Sequence, residues 1–218
     1  QIDNRGKAIG AELLLRWKHP VNGLVSPAEF IPVAEQTGLI VNIGRQVIRQ
    51  ACEQLQHWRQ TPAFAHLIIA VNVSPIQFNE PHFVDDILDI VNASGVNPRL
   101  LKLELTESSL LNNVDQSIEK MQQLQDAGIG FSMDDFGIGY SSLSYLKRLP
   151  LGQLKIDQTF VRDIAIDPND AVIARTIIAM AQNMNLQVIA EGVETEDQKQ
   201  FLEENGCTMF QGYFFGKP

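Results

Sequence analysis

Cysteine is scarce in this sequence. Cys52 and Cys207 stand far apart with no Cys-x-x-Cys spacing, which reads as free thiols in a reducing, cytoplasmic compartment rather than as a disulfide framework. No apolar run approaches the roughly 18 residues that a membrane-spanning helix needs, and no secretory leader pattern is present. Basic residues are few, 17 against 26 acids, and the resulting net charge of −9 argues against a general nucleic-acid-binding surface. A small anionic ligand held through local metals stays open. The histidines His19, His57, His66 and His82 show no ligand spacing and read as structural or surface groups. Low-complexity segments, polar linkers and solenoid repeats are also missing. The sequence opens at Gln1 rather than Met and is expected to be part of a longer chain.

What remains is 218 residues, 44% hydrophobic and 20% charged, enough for one large domain with a sizeable core. Residues 8–17 read as a strand containing Glu12. Ser26-Pro27 opens a helix that Pro32 is expected to interrupt and Gly38 to stop, and a second helix covers about 41–60. Strands and helices then alternate. Strands are expected at 67–74, 100–106, 129–134, 153–157, 186–191 and 207–211, with helices within 76–93, up to 127, around 142–148, and over 169–184 and 195–205. The apolar strands look buried on both faces, as parallel strands covered by helices are. This is the pattern of a TIM-like (β/α)₈ barrel. Seven strands are legible and a barrel needs eight, so the first is expected to be truncated before Gln1. An open doubly wound sheet is the alternative.

The chemistry gathers around residues 128–142, GIGFSMDDFGIGYSS, where an apolar strand ends on adjacent carboxylates, Asp134 and Asp135. Polar residues recur at the ends of successive strands: Asn72, Glu104, Asp134 with Asp135, Lys155 with Asp157, Glu191 and Gln211. One such acid reads most simply as a helix cap, but repetition on strand after strand points to the C-terminal face, where barrel sites form. Glu12, Glu104, Asp134, Asp135 and Glu191 set against Lys155 and Arg16 leave an excess of about −3, which two divalent cations would reverse. Carboxylates with an asparagine carbonyl, and neither His nor Cys, suit Mg²⁺ or Mn²⁺ better than Zn²⁺. Two such ions side by side are an arrangement for phosphodiester hydrolysis. Lys155 is the candidate to orient the attacking water, with an ion pair to Asp157 or Asp135 as the structural alternative. Glu191 reads equally as a metal ligand or as a proton acceptor.

The stretches ELLLRW (12–17), FIPVAEQTGLI (30–40), NVS (72–74), ELTES (104–108), DDFGIGYSSLSYLKRLP (134–150), LKID (154–157), AEGVET (190–195) and QGYFFGKP (211–218) resemble the EAL-domain cyclic-di-GMP phosphodiesterases, in that family's order and over nearly the whole chain. The resemblance implies a single domain over 1–218 that hydrolyses cyclic di-GMP to linear pGpG with two Mg²⁺ or Mn²⁺ ions, in bacterial second-messenger signalling. It implies Glu12, Asn72, Glu104, Asp134, Asp135 and Glu191 as the metal set, and Lys155, Glu191 and Glu12 as the catalytic groups. Arg16, Asp157, Glu194 and Gln211 are implied on the substrate side, with Glu107 and Ser141 anchoring the loop after the aspartates. A homodimer and a preceding sensory or GGDEF-type domain are implied as partners; an inner-membrane anchor elsewhere in a longer chain is compatible with this. Leu13 stands where the family has alanine, and Ile138 where it has a small residue or threonine. The family's Tyr-Gln-Pro is absent before Gln1. A degenerate receptor that binds cyclic di-GMP without cutting it is the alternative, and a barrel with merely structural acids is a third reading.

Overall fold

The short apolar runs between turn residues become the strands of one main sheet: β2 (Gly10–Leu13), β5 (Ile68–Asn72), β6 (Leu101–Thr106), β7 (Gly130–Phe136), β8 (Gln153–Ile156), β9 (Gln187–Ala190) and β10 (Met209–Phe210). They are parallel neighbours, in spatial order β10-β9-β8-β7-β6-β5-β2. This is a computed structural model; it describes residues 1–110, 113–137 and 143–217, with nothing said of the side chains of 143 and 144. Ser141 and Ile138 therefore lie outside the described residues.

The eighth place, expected before Gln1, is held by β1 (Ile2–Asp3), which pairs antiparallel with β10. On its other side, the Gln1 nitrogen donates to the Gly10 carbonyl (2.9 Å) and the Gln1 carbonyl accepts from Ile9 (3.1 Å). The sheet thus curls into a barrel rather than lying open. A reversed strand was invisible in the pattern because two residues carry no period.

Helices cover the outside: α1 (Pro27–Gln36), α2 (Leu39–Arg59), α3 (Pro75–Asn79), α4 (Phe83–Ser94), α5 (Glu107–Leu110), α6 (Val114–Asp126), α7 (Leu143–Leu146), α8 (Gln158–Arg162), α9 (Pro168–Asn183) and α10 (Glu196–Glu204). The inner stripe of α2 is Ile40, Val47, Ile48, Ala51, Cys52 and Leu55, a helical spacing that lays one face on the sheet. Helices start close to strand ends because caps are built in. Ser74 accepts from Gln77 N, Asp157 from Thr159 N, and Thr195 forms a reciprocal capping box with Gln198.

Three elements depart from the expectation. α1 continues through Pro32, since burial of Phe30 and Ala34 on either side offsets the lost backbone bond. The strand at 8–17 ends at Leu13; Trp17 belongs to β3 (Trp17–His19), which makes a separate hairpin with β4 (Gly23–Val25). The helix within 76–93 is two helices, divided next to Pro81. Both cysteines are free and buried.

Strand alternation fills the barrel with polar groups in layers. Lys102, Ser132 and Gln153 each lie two residues before a site residue, on the same face. Gln153 Oε1 accepts from Lys102 Nζ (2.9 Å) and Ser132 Oγ (3.3 Å). Above them stand Glu104, Asp134 and Lys155.

Candidate active site

Register brings the strand ends level. Asn72 pairs with Glu104, Thr106 with Asp134, and Glu12 with Ala70, two residues before Asn72. Four carboxylates from four strands or their ends converge on one ammonium. Lys155 Nζ lies 2.6 Å from Glu104 Oε2, 2.7 Å from Glu191 Oε1, 3.1 Å from Asp134 Oδ2 and 3.7 Å from Glu12 Oε2. The structural alternative for Lys155, a pair with Asp157 or Asp135, is thereby replaced by a different set of partners. Its side chain is 1% exposed.

Glu12 is gripped from both sides: Asn72 Nδ2 donates to Oε1 and Gln211 Nε2 to Oε2, each at 2.6 Å. Those two partners lie 60 and 199 residues away in sequence. Asp135 has φ +54°, a left-handed conformation that aspartate tolerates, and its backbone N–H donates to Asp134 Oδ1 at 2.9 Å. The register of β7 against β8 shifts between Met133 and Phe136, so Asp134 and Asp135 drop out of the β7–β8 ladder while Asp134 stays paired with Thr106 of β6.

The charge balance is visible in the proton affinities. Burial pushes the Glu104 carboxyl up to about 7, with Glu12 and Asp134 adding to the effect and Lys155 opposing it. Burial likewise pushes Glu191 up to about 8, against Lys155 and with Asp134 and Glu12. Asp135 rises to about 6 through partial desolvation, then Asp134 and Asp157. Burial favours the neutral Lys155 amine, yet the surrounding carboxylates hold it well above its ordinary value. One cation is too little for four acids, and the site compensates by binding protons.

The remaining expected residues are not among the acids that converge on Lys155. Arg16 is exposed, donates to its neighbour's carbonyl at Leu15, and lines a cleft of ≈ 870 Å³ between the β3–β4 hairpin and helices α1 and α2. None of the clustered carboxylates lines that cleft. Asp157 is buried and caps α8. Glu194 is exposed, with its backbone N–H held by Gln198. Glu107 is buried and accepts from the Tyr145 hydroxyl at 3.1 Å. Among the described residues no histidine pairs with Lys155 or the acids around it; His19 Nδ1 accepts from the Val21 and Asn22 N–H groups in the hairpin turn. Sequence reasoning missed Tyr145 and the polar layer beneath the site, although counting back two residues from Glu104, Asp134 and Lys155 finds the latter.

Among the described residues no acids, histidines or cysteines are spaced as a preformed metal cage; the carboxylates close on the ammonium instead. The donor chemistry nonetheless fits hard divalent cations. Glu104 Oε1 and Gln211 Oε1 are buried acceptors without a hydrogen-bond partner, beside carboxylates that carry too much negative charge.

The family model for the EAL domain matches residues 1–218. The chain is 46% identical over 213 residues to the bifunctional diguanylate cyclase/cyclic di-GMP phosphodiesterase MucR of Pseudomonas aeruginosa, covering 98% of this chain and 31% of that protein. It is 42% identical to the cyclic di-GMP phosphodiesterase NbdA of the same organism, covering 98% and 27%. It spans about a third or less of the length of these relatives. The fold superimposes on the MucR phosphodiesterase in complex with c-di-GMP with a TM-score of 0.93 (96% of this chain, 85% of that one, 46% identity). It also superimposes on the EAL enzyme Bd1971 in its cAMP- and cyclic-di-GMP-bound form with a TM-score of 0.94 (100% and 60%, 34% identity). With its TIM-like barrel and a matching model over its whole length, the chain belongs to the EAL-domain family.

Proposed function

We propose that this domain is a metal-dependent phosphodiesterase that hydrolyses cyclic di-GMP to linear pGpG. The observation that carries the reading is the convergence of Glu12, Glu104, Asp134 and Glu191 on Lys155 at the mouth of an EAL barrel. Glu12, Asn72, Glu104, Asp134, Asp135 and Glu191 would hold two Mg²⁺ or Mn²⁺ ions, for which the uncompensated charge and the orphaned oxygens argue. Bound there, such ions supply the positive charge that acidifies water and neutralises a phosphodiester.

The chain's own groups do the rest. Asn72 and Gln211 fix the Glu12 carboxylate in one orientation. Lys155 is buried and protonated, and its Nζ orients the attacking water at the centre of the acids. Glu191, at the edge of the cluster with its side chain 17% exposed, is placed to take the water's proton. Arg16, exposed three residues beyond the end of β2, would meet a phosphodiester oxygen, with Asp157, Glu194 and Gln211 on the substrate side. Water adds its hydroxyl to phosphorus, the P–O3′ bond breaks, and the departing 3′ oxygen gains a proton.

The domain is read as one part of a longer cytoplasmic signalling protein that works as a homodimer beside a sensory or GGDEF-type domain. Among the described residues no helix is long and apolar enough to cross a membrane. Incubation of the purified chain with cyclic di-GMP, in Mg²⁺, Mn²⁺ or chelator, tests the proposal. Metal-dependent pGpG is expected. Binding of intact cyclic di-GMP without product would overturn catalysis in favour of a receptor.

A further inference from the structure

Glu107 follows Thr106, the residue paired with Asp134 across β6 and β7. Its carboxylate is buried. Oε1 accepts from the Tyr145 hydroxyl, and Oε2 is closed off from solvent with no hydrogen-bond partner among the described residues. Tyr145 lies in α7, 38 residues further on, with its ring buried at 8% exposure. A phenylalanine would fill that space equally well. The hydroxyl supplies a donor to the carboxylate, whose burial is costly without one.

The location gives the contact its consequence. Asp135 stands in a left-handed conformation just past the register shift of β7, and Gly137 follows at φ +99°. A Cβ on Gly137 would lie 3.1 Å from Phe160 and 3.2 Å from Ile177, so packing pins the chain on leaving the aspartates. Tyr145, ten residues after Asp135 in sequence, donates to Glu107, the residue that follows the end of β6. The Tyr145–Glu107 bond thus stands one residue from the Thr106–Asp134 pair, and the closely packed Gly137 stands two residues after Asp135.

We propose that Tyr145 is a positioning residue: through Glu107 it ties α7 to the end of β6 and so holds Asp134 and Asp135 in the arrangement the phosphodiester chemistry needs. This rests on the phosphodiesterase reading above. Tyr145→Phe keeps the ring and removes the hydroxyl. Its kcat/KM should fall about tenfold, the size expected for one hydrogen bond to a carboxylate. The Mn²⁺ concentration for half-maximal activity should rise severalfold while the unfolding transition stays cooperative. In an Asp135→Asn background the same substitution should cost less than about twofold more, since residues acting through one another are not additive.

Amide hydrogen exchange of segments 104–110 and 131–137 supplies a readout that needs no activity, and it should accelerate in Tyr145→Phe. Unchanged exchange would overturn the tie. Faster exchange with wild-type kcat/KM and Mn²⁺ dependence would overturn the positioning role and leave a structural bond. An inactive wild-type chain would overturn the phosphodiesterase reading instead; the shift of melting temperature by Mn²⁺, compared between wild type and Tyr145→Phe, would then decide, with equal shifts counting against Tyr145.

Discussion

Glu12 is the residue on which most of the site leans, because it accepts from Asn72 and Gln211 while facing Lys155. Glu12→Ala removes a proposed metal ligand and leaves two amides without their acceptor. Turnover of cyclic di-GMP should drop by about 100-fold or more, as loss of a core catalytic group does. A variant that keeps above about a tenth of the wild-type rate would show that Glu12 is not such a group. The buried acids also predict a pH response. In metal-free protein Glu104 titrates at about 7 and Glu191 at about 8, both above the ordinary carboxylate range near 4.5. A carboxyl that binds its proton more tightly folded than unfolded weighs against the fold above its folded value, and that penalty lifts as the pH falls toward its unfolded value. The melting temperature in chelator should therefore rise as the pH goes from about 8 toward 5. A flat or falling trend would contradict the uncompensated cluster.

Among elements, the short strand β10 is the one whose geometry is least forgiving. Gly212 follows Gln211 and packs so closely on the backbone of Val193 that a Cβ would overlap it. Val193 N–H donates to the Gln211 carbonyl and Phe214 N–H to the Val193 carbonyl, so the two segments are laced together beside the site. Gly212→Ala should destabilise the fold by roughly 1–3 kcal/mol, the usual cost of overpacking, and should lower activity by moving Gln211 off Glu12. Denaturant unfolding measures the first effect and pGpG formation the second; an unchanged midpoint would show that the backbone relaxes freely. Periodicity found the long helices because an apolar stripe such as that of α2 is repeated over several turns. It found neither β1 nor the β3–β4 hairpin, whose two- and three-residue strands hold no period. Nor did it show that α1 carries Pro32, since that depends on what Phe30 and Ala34 pack against.

For the whole molecule, the barrel gathers an excess of negative charge from residues between 12 and 191 of the chain, and folding must bear that repulsion. Divalent cations held by the native site as proposed would find no equivalent site in the unfolded chain. Millimolar Mg²⁺ or Mn²⁺ should raise the melting temperature, corresponding to about 2.7 kcal/mol at a hundredfold excess over the dissociation constant. The pH response described above should flatten at the same time. Equal melting curves with metal and with chelator would count against a metal centre.

Sequence alone determined the class of fold and the kinds of group at its mouth, because alternation of apolar strands with helices and acids at successive strand ends are local facts of the chain. Tertiary structure decided which groups meet. Lys155 lies two residues from Asp157 and twenty from Asp135, yet its partners are Glu12, Glu104, Asp134 and Glu191, which strand register and barrel closure bring within 3.7 Å. It likewise decided that Tyr145 reaches Glu107 and that Gln211 grips Glu12 across 199 residues. Such contacts depend on how strands are staggered around a ring, a relation between distant segments that no local spacing records.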